Sequence, residues 1–216
     1  TVSTQPLLEP LPSPGRIATT STNEKLGITE WRLSNGVRVV LKPTNFKEDE
    51  ILFRATSPGG TSLASDRNYI PASTATQVIA AGGLGKFSVV DLRRVLTGKI
   101  AGASPFIGEL DEGLNGSSSR KDLETLFQLI YMRFTQPRAD ATAFAVQQTQ
   151  MKAALANQTA VPEFAFRETL TTTLYQNHVR RRVPSPANVD EWNLATSEAF
   201  YKERFADASD FTFVFV

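Results

Sequence analysis

The sequence predicts an α+β domain in which an antiparallel or mixed β-sheet carries helices packed on one face. Three patterns support this. Apolar residues alternate on both sides of Asn35-Gly36, the dipeptide most typical of a two-residue β-hairpin. Helical spacing dominates residues 123–134. The last residues, 211–216, are apolar on both faces except at Thr212, as in a central strand. Strands and helices are grouped rather than alternating, which favours α+β over α/β.

The composition limits the chemistry that the chain can perform. The 216 residues are 41% apolar, with one His, no Cys and a formal net charge of +1. A chain of this length can bury a substantial hydrophobic core. Its net charge does not indicate binding to nucleic acid or to an anionic membrane. No run reaches the roughly 20 apolar residues that span a bilayer. The absence of Cys excludes disulfides, thiolate catalysis and iron–sulfur sites, and a single imidazole, His178, excludes any site with two His ligands.

Residues 1–27 are predicted to be a Pro-rich interdomain linker. They contain four of the 12 prolines and a Thr/Ser-rich piece, and proline favours extended backbone without donors. No basic stretch precedes an apolar one, so a signal peptide is not expected. The domain is expected to comprise residues 28–216 and to be truncated at its last strand, as part of a longer polypeptide.

The first half of the domain is predicted to be mainly β-structure. Strand-like alternation surrounds Asn35-Gly36 and returns before the turn Ser57-Pro58-Gly59-Gly60. A second antiparallel pair follows later in the chain. The predicted strands are residues 28–34, 37–42, 50–56, 99–106 and 109–115.

Helices are predicted mainly in the second half. Ser88-x-x-Asp91 and Ser119-x-x-Asp122 are typical of helix N-termini. The second precedes the clearest helical stripe in the chain, which runs from Leu123 to Phe134, and Pro137 ends that helix. Further helices are predicted over residues 68–81, 140–157, 163–176 and 188–205.

Most short motifs have a structural interpretation. Gly82-Gly83-Leu84-Gly85 lacks the Lys-Ser/Thr of a phosphate-binding loop and fits a helix end. Residues 180–182 are three arginines, for which a charged loop is favoured over a phosphate or acidic-peptide site. Asp111 and Glu112 are adjacent in a predicted turn, so their side chains should diverge rather than form a dyad. A serine hydrolase using His178 stays an alternative, although no Gly-x-Ser-x-Gly accompanies that residue.

An ordered series of segments resembles the insulinase/pitrilysin-type zinc metallopeptidases, the family with an inverted zinc motif. It begins with Trp31-Arg-Leu-Ser-Asn-Gly36 and covers nearly the whole chain. The resemblance is strongest to the first domain of the non-catalytic C-terminal half of bacterial periplasmic members. It implies a processing-peptidase-like fold and a periplasmic or secreted location. The segments are residues 31–51, 57–63, 83–99, 114–119, 121–124, 127–131, 200–206 and 210–216.

The resemblance also implies where a zinc site would lie. Catalytic domains of the family carry His-x-x-Glu-His on the helix after the third strand and a further Glu downstream, because zinc needs two imidazoles on one helical face and a base beside its water. Counted from Gly59-Gly60, these positions are Ser73, Thr76 and Gln77, and none is a zinc ligand or a base. The distant Glu is expected on the helix within residues 141–162, which contain no Asp or Glu. No catalytic residue is therefore expected.

The resemblance therefore implies a non-catalytic domain of a zinc metallopeptidase, contributing to a peptide-binding chamber. Zinc would be bound by an upstream catalytic half of the same polypeptide, and this chain alone would hold no cofactor and be inactive. The expected partners are that upstream half and unfolded peptide, with a homodimer as an open option and without nucleic acid or a transmembrane segment. The alternative is a catalytically lapsed scaffold or assembly protein of the same fold, like the relatives in respiratory complexes. No substrate-contacting residue is assigned.

Overall fold

A computed structural model describes residues 5–159 and 161–216, and in those ranges one mixed sheet contains seven strands. The strands are β1 (Ile17–Asn23), β2 (Ile28–Leu33), β3 (Arg38–Leu41), β4 (Ile51–Pro58), β5 (Ala101–Ile107), β6 (Asp111–Ser118) and β7 (Thr212–Phe215). Their order in the sheet is β1-β2-β3-β7-β4-β6-β5. Neighbours are antiparallel except β3 and β7, which run parallel.

In the described part of the chain, all eight α-helices lie between β4 and β7. They are α1 (Tyr69–Ser73), α2 (Ala75–Gly82), α3 (Val89–Val95), α4 (Leu123–Thr135), α5 (Ala141–Thr159), α6 (Pro162–Leu174), α7 (Pro186–Asp190) and α8 (Leu194–Arg204). Among the described residues, no helix is both long and apolar enough to cross a bilayer.

The predicted hairpin at Asn35-Gly36 is confirmed. Gly36 has a φ of +89°, a conformation that glycine adopts without steric cost. The N–H of Leu33 donates to the carbonyl of Val37 at 2.9 Å, which closes the turn between β2 and β3. The Asn35 Oδ1 accepts from the Val37 N–H at 3.3 Å. Local turn chemistry therefore sets the register of these two strands.

The prediction of a central strand at the end of the sequence is confirmed by β7. It lies between β3 and β4, where Phe213 is paired with Val39 on one side and Ala55 on the other. Phe213 and Ala55 are buried, and Phe53 stacks on Phe213 with ring centroids 6.1 Å apart. Strand β7 therefore has hydrogen-bonded neighbours on both sides, and each of its residues is buried or half-buried.

The helix α4 packs its apolar stripe across β5 and β6. Leu126 and Ile130 of the predicted stripe are buried, and the Arg133 Nε donates to the Ala103 carbonyl of β5 at 3.0 Å. Tyr201 of α8 donates its hydroxyl to the Arg133 carbonyl at 3.1 Å. Burial raises the pKa of that phenol, so Tyr201 stays a neutral donor. These contacts hold α8 and α4 together over one half of the sheet.

The other half of this face is a groove of about 610 Å³ lined by apolar side chains. Phe127 of α4 stands at its border, 5.4 Å from Phe215 between ring centroids, and is 48% exposed. Trp31 and Val39 line the groove from β2 and β3. The helices therefore pack on one face of the sheet, as predicted, but cover it unevenly.

The segment predicted to be a linker is partly packed. Ile17–Asn23 forms β1 and pairs along β2, and Leu7 and Leu8 are buried against the core. The prediction of an unpacked connector is wrong for these residues, while residues 1–4 lie outside the described part. All seven residues of β1 are exposed, so the strand lacks the apolar alternation that would have revealed it. That the segment joins two domains stays a prediction.

Two predicted helices are interrupted. The one over residues 68–81 is divided into α1 and α2 at Thr74, whose hydroxyl donates to the Ile70 carbonyl at 2.9 Å. Such back-bonding by Thr bends helices. The one over residues 188–205 is divided into α7 and α8, because Asn193 caps a new helix by accepting from the Thr196 N–H at 2.8 Å.

The two predicted helix caps have different outcomes. Ser88 caps α3, since its hydroxyl oxygen accepts from the Asp91 N–H at 3.2 Å. Ser119 instead donates its hydroxyl to the Asp122 carboxylate at 2.8 Å, and that carboxylate also accepts from the Ile100 N–H at 2.9 Å. The second pair therefore joins the start of α4 to the strand β5 rather than closing a capping box.

Candidate functional site: a cavity between α2 and α5

Ser73 and Gln77 lie four residues apart on either side of the break at Thr74, at the end of α1 and within α2. Buried Val78 and Ile79 on the other side of α2 fix its orientation. The helix α5 runs beside α2, where the Gln147 side-chain amide donates to the Gln77 carbonyl at 3.5 Å. The helix expected to carry a distant Glu therefore neighbours the helix expected to carry the imidazoles.

A cavity of about 300 Å³ opens at this junction. Ser73 and Gln77 line it from α1 and α2, and Met151 and Leu155 line it from α5. Thr76, the third predicted position, is half-buried and is not part of the lining. The structure thus brings two of the three sequence-predicted residues together around one space.

The opposite wall comes from the segment after α6 and from α7. Val189 is buried there, and Trp192 lies beside it. The Arg182 guanidinium forms two parallel hydrogen bonds to Glu191, of 2.8 and 2.9 Å. These bonds lower the pKa of the Glu191 carboxyl and so keep it ionised. The Arg182–Glu191 ion pair holds this wall in place, and its two charges neutralise each other.

A second arginine joins this wall to the start of α1. The Arg180 Nε lies 2.7 Å from an Asp66 carboxylate oxygen, and its two terminal nitrogens donate to the carbonyls of Thr61 and Ala64 at 3.0 and 2.6 Å. The guanidinium carbon is 5.1 Å from the centroid of the Tyr69 ring. Arg180 is therefore a structural cross-link, and it is unlike the solvated loop residue that the sequence predicts.

The donor groups around the cavity do not fit zinc. The Ser73 hydroxyl donates to the Ile70 carbonyl at 3.0 Å, and Gln77 offers only a neutral amide. Structural and catalytic zinc sites use Cys, His and carboxylate ligands. In residues 5–159 and 161–216 no three such groups lie close enough together to hold a metal. The chemistry available here is hydrogen bonding and apolar contact. That Ser73, Thr76 and Gln77 stand at zinc positions stays a prediction.

Glu112 is a residue whose role the sequence did not reveal. It lies in β6 rather than in the predicted turn, it is 2% exposed, and its Oε2 accepts from the Gly60 N–H. The Arg204 Nη1 lies 3.9 Å from its other oxygen. Burial raises the pKa of the Glu112 carboxyl, opposed by the Gly60 N–H and by Arg204. As expected, Asp111 diverges from it, since its carboxylate lies 3.8 Å from the Arg54 guanidinium on the other face of the sheet.

The two glycines beside Glu112 are required by their surroundings. Gly60 has a φ of +63°, and a Cβ there would lie 2.5 Å from the Gly108 carbonyl oxygen. A Cβ on Gly59 would lie 2.8 Å from the Glu112 carboxylate. The turn between β4 and α1 is therefore built around the buried carboxyl. The one sequence feature that could have indicated this role is an acidic residue near the start of a strand, opposite a Pro-Gly-Gly turn.

His178 is not arranged for nucleophilic catalysis. Its Nδ1 accepts from the Arg180 N–H at 3.2 Å. Ser62 lines the same shallow pocket, but its hydroxyl donates to the Gly59 carbonyl at 2.5 Å rather than to the imidazole. The geometry thus gives no support to the serine hydrolase alternative.

The glycines at residues 82–85 form a helix end, as predicted. Gly83 follows α2 with a φ of +102°, and a Cβ there would meet the Phe87 carbonyl oxygen at 2.1 Å. The Leu84 N–H donates to the same carbonyl at 2.9 Å. Backbone geometry alone explains these residues.

Comparison with curated proteins identifies relatives among zinc proteases. The chain is 33% identical over 124 residues to a zinc protease PQQL-like protein of Arabidopsis thaliana, covering 57% of the chain and 10% of that protein. It is 24% identical over 189 residues to the probable zinc protease PqqL of Escherichia coli, covering 88% of the chain and 20% of that protein. The resemblance to the insulinase/pitrilysin-type zinc proteases is confirmed. The chain spans between a tenth and a fifth of these relatives, and no family model matches it.

Solved structures support the same fold. The periplasmic protease PqqL from Escherichia coli superposes with a TM-score of 0.80 at 23% identity, over 99% of this chain and 23% of that one. A peptidase M16 inactive domain from Pseudomonas fluorescens superposes with a TM-score of 0.68 at 17% identity, over 88% of this chain and 46% of that one. At such identities the likeness establishes the fold, and the α+β prediction is confirmed.

Proposed function

We propose that this chain is a non-catalytic domain of a zinc protease and that it forms part of the chamber in which peptide is held. The observation that carries the proposal is the cavity between α2 and α5. Ser73 and Gln77, which the resemblance predicts to stand at the imidazole positions, line this cavity together with residues of α5, the helix on which a Glu is predicted. Both side chains are neutral, which supports a copy of the fold that has the space of a zinc site without its ligands.

The length of the relatives supports a separation between a catalytic part of the protein and this domain. The chain matches only 10% and 20% of the length of two curated zinc proteases, so most of such a protein lies outside it. In our proposal, the zinc and the base that activates its water belong to another half of the same polypeptide. We place the parent protein in the periplasm, by analogy with the periplasmic protease PqqL.

An exposed sheet edge offers one way to hold a peptide. The strand β1 has β2 as its neighbour on one side and is the terminal strand of the sheet on the other. All seven of its residues are exposed. Extended peptides add to such edges through backbone hydrogen bonds, which do not depend on sequence. This suits a domain that positions unfolded substrates of varied sequence.

The proposal is tested by comparing the 216-residue chain with the whole polypeptide that its gene encodes. Zinc content is measured by atomic absorption, and cleavage is followed with an unfolded peptide that carries a quenched fluorophore. We expect the whole polypeptide to bind stoichiometric zinc and to cleave, whereas the 216-residue chain does neither. Stoichiometric zinc or cleavage in the isolated chain would overturn the proposal.

The same experiment separates a protease domain from a scaffold. If the whole polypeptide also lacks zinc and cleavage, the fold has lost its peptidase activity altogether. That result would refute the proposed function and favour an assembly protein.

A further inference from the structure

The geometry points to the cavity between α2 and α5 as a binding pocket for one large, uncharged apolar side chain of an extended peptide. This inference deepens the proposed function, because it assigns the lapsed site a ligand class. The pocket would recognise an aromatic or long aliphatic residue by its shape and apolarity, without cutting the chain that carries it.

The walls supply the apolar surface for such a side chain. Met151, Leu155 and Val189 provide aliphatic and thioether groups, and Trp192 provides an aromatic one. Methionine adapts its shape to different partners, and tryptophan offers a large, rigid contact area. A cavity of about 300 Å³ lies at the lower end of the range for small-molecule sites, roughly 300–1,000 Å³. It suits one or two side chains better than a cofactor.

The remaining lining residues are suited to the backbone on either side of that side chain. Gln77 is exposed at the cavity and carries both a donor and an acceptor. The Ser73 hydroxyl donates its proton to the Ile70 carbonyl, so its oxygen can still accept a hydrogen bond. Both residues line the cavity, and together they supply a donor and acceptors for the N–H and C=O groups of a peptide backbone.

The charges around the cavity argue against an ionic ligand. Both arginines in the lining have a carboxylate partner, Arg180 in Asp66 and Arg182 in Glu191. A Lys or Glu side chain entering between α2 and α5 would lose water and find no unpaired counter-charge. An uncharged side chain avoids that cost. The pocket should therefore discriminate against charge as well as against small size.

The test uses a reporter that the chain already contains. Its two tryptophans are Trp192 in the pocket and Trp31 in the apolar groove on the sheet. In the Trp31→Phe protein, emission reports on the pocket alone. The probes are blocked Gly/Ser peptides with one central residue, which is Phe, Leu, Ala, Glu or Lys. We expect saturable emission changes with Phe and Leu, and affinities about tenfold or more above Ala, as burial of a large apolar side chain gives. Glu and Lys peptides should bind no better than Ala.

Two blocking variants make the result specific. Ser73→Phe and Gln77→Phe each place a ring in the cavity from an exposed helical position, and each should abolish the preference for Phe over Ala. Thr172→Phe is the matched control, because it adds the same ring at an exposed position of α6 outside the lining. Circular dichroism verifies that each variant is folded.

The outcomes separate this inference from the proposed function. Equal affinities for all five peptides, or a preference for Phe that persists in both blocking variants, would refute the assignment of the pocket. Neither result would contradict cleavage by the whole polypeptide. Selective binding by the 216-residue chain together with an inactive, zinc-free parent would support the pocket and refute the protease.

Discussion

One segment leads from β4 through the Gly59-Gly60 turn into α1 and α2. At its first end the turn packs against Glu112 of β6, and at its second end Ser73 and Gln77 line the cavity. At the first end a carboxylate is buried and bonded to the backbone, with an arginine beside it. At the second end the lining residues from α1, α2 and α5 are neutral, and the two arginines of the opposite wall are each paired with a carboxylate. The domain thus buries a carboxyl group where it organises a turn, whereas Ser73 and Gln77, the residues predicted to stand at zinc positions, carry no charge.

The two ends also differ in what a substitution should cost. Removing a buried acceptor is destabilising, because the donor that it satisfied is left without a hydrogen-bond partner. Changing an exposed neutral side chain usually alters stability little. We therefore expect stability to depend on the Glu112 end and binding to depend on the cavity end.

The largest effect is expected for Glu112→Ala. It leaves the buried Gly60 N–H without an acceptor and opens a cavity in the turn, while Arg204 keeps Glu203 as its acidic partner at 2.8 Å, so the free energy of unfolding should fall by roughly 3–5 kcal/mol. Urea denaturation followed by circular dichroism measures this. Glu109→Ala is the control, since its pair with Arg181 is exposed and should contribute less than about 1 kcal/mol. Similar losses for both variants would show that Glu112 does not organise the turn.

A somewhat smaller effect is expected for Gly60→Ala. The new Cβ meets a positive φ and also the Gly108 carbonyl oxygen, which together should lower the free energy of unfolding by roughly 3 kcal/mol. Gly98→Ala is the control, because Gly98 has a φ of +81° but nothing within 4 Å of a Cβ. It should cost only about 1 kcal/mol. Thermal unfolding compares the two variants. Equal decreases in melting temperature would mean that the neighbours of Gly60 move to make room for the new Cβ.

A pH dependence should accompany the buried carboxyl. Since burial raises the pKa of Glu112, the folded state holds its proton more tightly than the unfolded state. Its contribution is present below the ordinary pKa of 4.5 and is lost as the pH rises through the raised value. As the pH falls from neutral to 4.5, the wild-type protein should therefore become more stable relative to the Glu112→Gln variant, whose residue 112 binds no proton.

This difference isolates one group. Asp122, Asp140 and Asp207 have pKa values lowered by hydrogen bonds, so they oppose the trend, but they do so equally in both proteins. Urea titrations of the two proteins at several pH values give the comparison. A difference that does not change with pH would exclude the predicted protonation of Glu112.

The smallest structural effect, and the sharpest test of the lapsed positions, is expected for Ser73→His combined with Gln77→His. Both sites are exposed, so stability should change by no more than about 0.5 kcal/mol. Both positions line the same cavity, so two imidazoles there should bind zinc, as measured by titration calorimetry. Thr76→His with Gln77→His places adjacent imidazoles on diverging sides of α2 and should bind more weakly. Equal binding would show that residues 73 and 77 do not present side chains to a common site.

Much of the fold was predictable from local signals. The Asn35-Gly36 hairpin, the apolar stripe of α4 and the central position of β7 each follow from patterns within a few residues. The strand β1 was missed because its seven residues are exposed and show no alternation. The break at Thr74 was missed because a hydroxyl that bonds back to the Ile70 carbonyl leaves the helical periodicity unchanged.

The candidate site divides in the same way. What the site lacks follows from composition, because one His and no Cys provide too few ligands for a zinc site of the family's type in any fold of this chain. Packing between distant elements places Ser73 and Gln77 around one cavity with α5 and buries Glu112 against Gly60. Composition limits chemistry directly. Which distant elements meet, and which charges they cover, depends on packing across the whole sheet.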